Sequence, residues 1–147
     1  YPIRVVAGAD SVDLSWGRFA IREYLDVYND DNRHSVTVNR IIADTWVGHK
    51  KDGQEENWLD FEEKPEVAPA SVRRVAERLR IVDGRPKPNW WVRWIRFKID
   101  TTWGEFVSNF VSSPLRPPPG TPELLLPAPK VESYSAPGYP GTTTVIP

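Results

Sequence analysis

The chain has 147 residues, with 19 Lys+Arg against 20 Asp+Glu, two histidines, no cysteine and no methionine. A net charge near zero argues against a protein whose main work is to neutralise many phosphates, and without cysteine there is no disulfide framework, thiolate metal site or cysteine nucleophile. The length suits one domain, and no apolar run reaches the ~18 residues that a membrane-spanning helix needs.

The chain opens on Tyr1 and has no methionine, so an initiator methionine, signal or pro-segment is expected either to have been removed or to lie outside this sequence. Short β-prone runs fill the first half: Ile3 to Ala7, Val12 to Trp16, Phe19 to Tyr28 and Ser35 to Trp46. In the third run Phe19, Ile21, Leu25 and Val27 alternate with the period of a half-buried strand, and Glu23 interrupts that face. Gly8-Ala9-Asp10 and Asn29-Asp30-Asp31-Asn32 read as turns, because glycine and Asx side chains favour tight backbone conformations. Gly48 to Gln54 reads as an exposed loop with its turn at Asp52-Gly53, ahead of the apolar patch Trp58, Leu59 and Phe61.

A helix is expected after Pro69-Ala70, with Ser71 as cap and Val72, Val75, Ala76 and Leu79 on one stripe. The competing strand through Val75, Leu79 and Ile81 would put Glu77 on the wrong face. Arg85-Pro86-Lys87-Pro88 is a loop, since its prolines exclude regular pairing. Trp90 to Asp100 is the clearest strand: Trp91, Arg93, Ile95, Phe97 and Ile99 form the face expected to be buried, and Trp90, Val92, Trp94, Arg96 and Lys98 the other. Thr102 to Val111 fits helix and strand equally.

From Ser113 to Pro147 the chain carries ten of its fifteen prolines. Proline lacks a backbone donor and fixes φ, so this stretch is expected to be an extended arm with polyproline II character. About eight short strands and one helix point to a mainly β, β-sandwich-like domain over 1–112 followed by a Pro-rich arm over 113–147, with an α+β layer as the alternative.

His34 and His49 sit in polar segments without a second histidine at i+3 or i+4, so neither a histidine-rich metal site nor a catalytic role is expected. Asn29 to Asn32 carry oxygen donors of the type calcium takes but lack the spacing of a calcium-binding loop. No cofactor or metal is expected. From Asp52 to Glu66 seven acidic residues face one basic, Lys64; the run reads as a solvated loop or a docking surface for a basic partner. From Arg73 to Lys98 nine basic residues face Glu77 and Asp83. Interleaved aromatic rings beside a basic track are how single strands are gripped, which makes Trp90, Trp94, Arg96 and Lys98 candidates for ligand or nucleic-acid contact. The glycine-rich phosphate loops, the zinc-protease motif and the nucleophile elbow are all missing.

The expected function is that of a non-enzymatic structural subunit of a large assembly: a virion shell, decoration or tail protein, a filament, or a subunit of a large complex. Its partners would be copies of itself or other subunits, and its setting a virion or the extracellular space. A Pro-rich arm is already stiff, so docking it costs little ordering free energy. Leu124, Leu125 and Leu126 are anchors for an apolar groove, Tyr134 and Tyr139 for stacking, and Val145 and Ile146 for strand addition. The alternatives are a carbohydrate-binding β-sandwich presenting Trp46, Trp58, Trp90 and Trp94, and a single-stranded nucleic-acid binder using the basic aromatic strand.

Overall fold

The computed structural model describes residues 2–47, 50–56, 58–59, 63–117 and 119–120, and the backbone of 131–133 and 143–145. Strands β1 (Ile3–Asp13), β2 (Arg18–Asn29) and β6 (Ser71–Asp83) form one antiparallel sheet in the order β1-β2-β6. Strands β3 (Val36–Val47), β4 (Lys50–Glu55), β7 (Trp91–Thr101) and β8 (Gly104–Leu115) form the second in the order β4-β3-β7-β8, and the short β5 (Glu66–Val67) also pairs with β3. The backbones of β9 (Val131–Ser133) and β10 (Thr143–Val145) pair with each other. The fold is mainly β, and among the described residues no helix is long and apolar enough to cross a membrane.

The core lies between the two sheets. Val5, Ala7, Leu25 and Val27 meet Val38, Ile41, Ala43, Ile95, Phe97 and Ile99, the alternation of branched and aromatic residues that a half-buried strand requires. Trp58 closes one side edge-on to Phe97, with centroids 4.8 Å apart and planes at 88°. Each fully buried large apolar side chain contributes roughly 1.5–3 kcal/mol. The edge of β1 is occupied by the Asn109 amide, whose Oδ1 accepts from Ala7 N at 2.8 Å and whose Nδ2 donates to Ala7 O at 3.0 Å. At that one position the backbone groups of the edge strand are occupied and unavailable to another strand.

The helix expected after Ala70 is a strand. A β-bulge opposite Leu25 and Asp26 inserts one residue into β6, so the adjacent Val75 and Ala76 are both buried. That shift of phase makes a period of two imitate a helical stripe. The described helical structure is a single 3-10 turn at Ser15–Gly17.

Gly8-Ala9-Asp10 is not a turn either, because β1 runs straight through it. Gly8 faces Tyr24 across the pair, and a Cβ at Gly8 would lie 2.3–2.6 Å from the Tyr24 ring; the glycine makes room for that ring. Val12 to Trp16 is not a separate strand, since β1 ends at Asp13. In the expected 48–54 loop, Lys50 to Glu55 instead pair with β3, and Asp52 is the extra residue where the register shifts. The ambiguous 102–111 stretch is strand, entered through a turn in which Thr101 Oγ1 donates to Gly104 O at 2.8 Å and accepts from Trp103 N at 3.0 Å. β8 continues through Ser113 to Leu115 along β7, past the residue where the arm was expected to begin. The β7 face expected inside is inside: Ile95, Phe97 and Ile99 have no accessible surface.

Phe97→Ala should cost about 3–5 kcal/mol, since a large buried ring leaves a cavity that the sheets cannot collapse into. Leu79→Ala, at a side chain 63% exposed, should stay within about 0.5 kcal/mol. Urea titrations of the two variants check both.

Candidate functional site

Three arrangements of side chains stand out from ordinary packing. The first is a buried charge bridge at one end of the sandwich. Glu23, the residue that interrupts the apolar face of β2, is 2% exposed. Its Oε2 accepts from Ser113 Oγ at 3.0 Å, and its Oε1 lies 3.5 Å from Arg93 Nη1 and 3.9 Å from Arg80 Nε. Arg93 also donates to Glu55 of β4, whose second oxygen accepts from Arg78 Nη1 at 2.6 Å. Arg80 Nη2 donates to Pro114 O at 2.6 Å. Burial pushes the Arg80 guanidinium below its ordinary value, against the pull of Glu23. Both carboxylates are committed to arginines on the opposite sheet, so the cluster ties β2 and β6 to β4, β7 and β8.

The second is on the outer face of the second sheet, where Asp44 is fully buried. It accepts from Gln54 Nε2 at 2.8 Å. Lys51 and Lys98 each approach it to 3.5 Å and Arg96 to 3.9 Å. Burial raises the Asp44 carboxyl, but the Gln54 hydrogen bond and the charges of Lys98 and Lys51 outweigh it and hold the group below its ordinary value. Over the same face Trp46 meets Phe110 edge-on at 5.2 Å, with the Arg96 guanidinium 4.9 Å from the Phe110 ring.

The third is the β1–β2 hairpin tip. Trp16 is 93% exposed with φ 66 and ψ 32, and Gly17 follows with φ 68. Glycine occupies the left-handed region freely, whereas tryptophan does so at a cost of about 1–2 kcal/mol. The tip is fixed by Leu14 N donating to Arg18 O at 2.8 Å and Gly84 N to Gly17 O at 2.7 Å. Val12, Ile81 and Leu79 are 57–63% exposed and share the adjoining outer face through the pairings Val12 with Ala20, Ala20 with Ile81, and Arg22 with Leu79.

Of the residues singled out from sequence, Trp94 and Trp58 are buried, at 6% and 7% exposure, and Trp90 is half-buried at the head of β7. Arg96 and Lys98 lie on one face but turn toward Asp44. Leu124, Leu125, Leu126, Tyr134, Tyr139 and Ile146 lie outside the described residues, as does His49; Val145 pairs through its backbone with Val131. The Asn29 to Asn32 run makes Asx turns: Asn29 Oδ1 accepts from Asp31 N at 3.0 Å, and Asp31 Oδ1 from Arg33 N at 2.7 Å and His34 N at 2.8 Å. Asp30 pairs with Arg4. Of the acidic stretch, Glu55 pairs with Arg78 and Arg93 and Glu56 with Arg40. Among the described residues no group of three or more acidic or histidine side chains is placed to hold a metal. A shallow cleft of about 470 Å³ beside β5 and β6 is lined by Glu66, Arg73, Arg74 and Val75 among others. Sequence reasoning missed Asp44 and Trp16; the signal for Trp16 was a large ring directly before a glycine between two strand runs.

No family model and no curated protein matches the chain. Among solved structures it is similar to a Northeast Structural Genomics Consortium target, SoR45, at 12% identity and TM-score 0.48 over 85% of this chain and 91% of that one. It is also similar to a protein from Archaeoglobus fulgidus, at 14% identity and TM-score 0.41 over 76% and 95%. A Bordetella pertussis target described as a candidate ApaA protein matches at 14% identity and TM-score 0.44 over 80% and 94%.

Glu23→Ala should destabilise the chain by about 3 kcal/mol, because it removes the carboxylate beside Arg80 and leaves Arg93 with Glu55 alone; chemical denaturation measures it. Asp44 has a lowered pKa in the folded chain, so its stabilising contribution is complete above the unfolded value of about 3.9 and lost as pH falls toward the folded one. The stability gap between wild type and Asp44→Asn should therefore narrow as pH drops below about 4–5, in urea midpoints taken across that range.

Proposed function

We propose that the chain is a non-enzymatic subunit of a large protein assembly, docking on neighbouring subunits through the β1–β2 hairpin tip and through its Pro-rich arm. The observation that carries this reading is Trp16, 93% exposed and held in the left-handed region. A strained residue persists where the surroundings fix it and function uses it. Tryptophan is the residue most enriched among binding hot spots.

The surroundings support a protein partner. Val12, Leu79 and Ile81 extend an apolar surface beside the tip, and exposed apolar patches with polar rims mark interaction sites. Near the tip Asp10 pairs with Arg22 and Asp13 with Arg85, and Arg18 stands opposite Asp83 in the register, which leaves a rim close to neutral and little attraction for a polyanion or an anionic lipid surface. In this reading Leu124 to Leu126, Tyr134, Tyr139, Val145 and Ile146 supply the arm's anchors. A virion shell, decoration or tail component, or a filament, is the type of assembly such a subunit would serve.

Trp16→Ala should weaken incorporation into the native particle, or concentration-dependent self-association, by about 2 kcal/mol or more, roughly thirtyfold. Trp16→Asn, which suits the left-handed region, should match or exceed wild-type thermal stability and show the same binding loss. Particle incorporation and light scattering read the first, thermal melting the second. Undiminished assembly by both variants would end this reading.

A further inference from the structure

We propose that the outer face of the second sheet, around Trp46, binds single-stranded nucleic acid. Three side-chain cations, Lys51, Lys98 and Arg96, stand 3.5–3.9 Å from the one carboxylate of Asp44, so two positive charges are in surplus there. Their side chains are 51%, 35% and 32% exposed and reach solvent as well as Asp44. The acidic Asp100 and Glu105 are cross-strand neighbours at the far end of β7 and β8, away from Trp46, which faces Trp94 in the register.

The same face carries rings. Trp46 and Phe110, both half-buried, meet above β7, with Lys51 5.8 Å and Arg96 5.7 Å from the Trp46 ring. These cations sit at the outer limit of cation–π range, about 6 Å, and a base can replace them against the ring while they move to phosphate. Rings beside a basic track are the arrangement that grips single strands without reading sequence, because every base has a face to stack.

Asp44 Oδ2 is held by the ion pairs to Lys98 and Arg96, while Trp94 Nε1 and Arg96 Nε have no hydrogen-bond partner among the described residues. The face is therefore polar and cationic, and its charge complements a phosphate backbone. Trp94 is the buried support of this platform and Trp46 its stacking ring. The site is separate from the hairpin tip and does not depend on the assembly reading.

The test is titration of the full chain with a labelled oligo-deoxythymidylate of about ten nucleotides, the site size of a compact domain, read by anisotropy and tryptophan quenching. Binding is expected to fall with salt with a log–log slope of about −2, as for three phosphate contacts on a single strand. Trp46→Ala should weaken it about tenfold and Trp46→Phe much less. Lys98→Gln should flatten the salt slope by about 0.7. Asp44→Asn should tighten binding, which a purely structural role would not do, and Trp16→Ala should leave it unchanged. Absence of binding at low salt overturns the proposal. So does equal competition by inorganic polyphosphate with no effect of Trp46→Ala, which would mean charge alone, or loss of binding in Trp16→Ala, which would place the contact at the tip.

Discussion

A carboxylate buried between two sheets constrains this fold more than any single apolar contact. Glu23 lies on the inward face of the middle strand of the first sheet, among Leu25, Val27 and Ile21. A charge there survives only with partners, and these come from the other side: Arg93 on β7 and Ser113 on β8, with Arg80 alongside on β6. Replacing such a bridge with apolar side chains is often neutral for stability, so its effect is better described as fixing which residues face each other. Arg93 and Ser113 must point inward at that end, and the alternation of β7 and β8 then sends Ile95, Phe97 and Val111 into the core and Trp94, Arg96 and Phe110 outward. The aromatic and cationic outer face thus follows from the same alternation.

Much of this was legible in the sequence, because period-two patterning reports burial directly. The inward face of β7, the β2 strand, the Asx turn after Asn29 and the mainly β character all follow from alternation and turn chemistry. Glu23 was visible as an interruption, but its partners were not, since Arg93 and Ser113 are distant in sequence and brought close only by the stacking of the sheets. β6 misled for a definite reason: one bulged residue moved the apolar positions into helical spacing. Gly8 read as a turn because glycine signals turns locally, while its use here is to admit a ring from the next strand. Asp44 was silent, because a lone acid inside a strand looks solvent-facing until two neighbouring strands lay cations over it.

The two surfaces that remain differ in chemistry. The hairpin tip is apolar, neutral at its rim and built on a strained tryptophan, which suits a protein partner. The outer face of the second sheet is cationic and aromatic, which suits phosphate and bases. They lie on different sheets, so the two proposed contacts do not compete for the same surface.

The most direct measurement of the proposed assembly role is site-specific photocross-linking from position 16 of the full chain in its native host, with a photoreactive aromatic residue replacing Trp16. Covalent capture of a neighbouring subunit at that position is the predicted result. Cross-links confined to the chain's own residues, from a folded protein at its native level, would contradict the account.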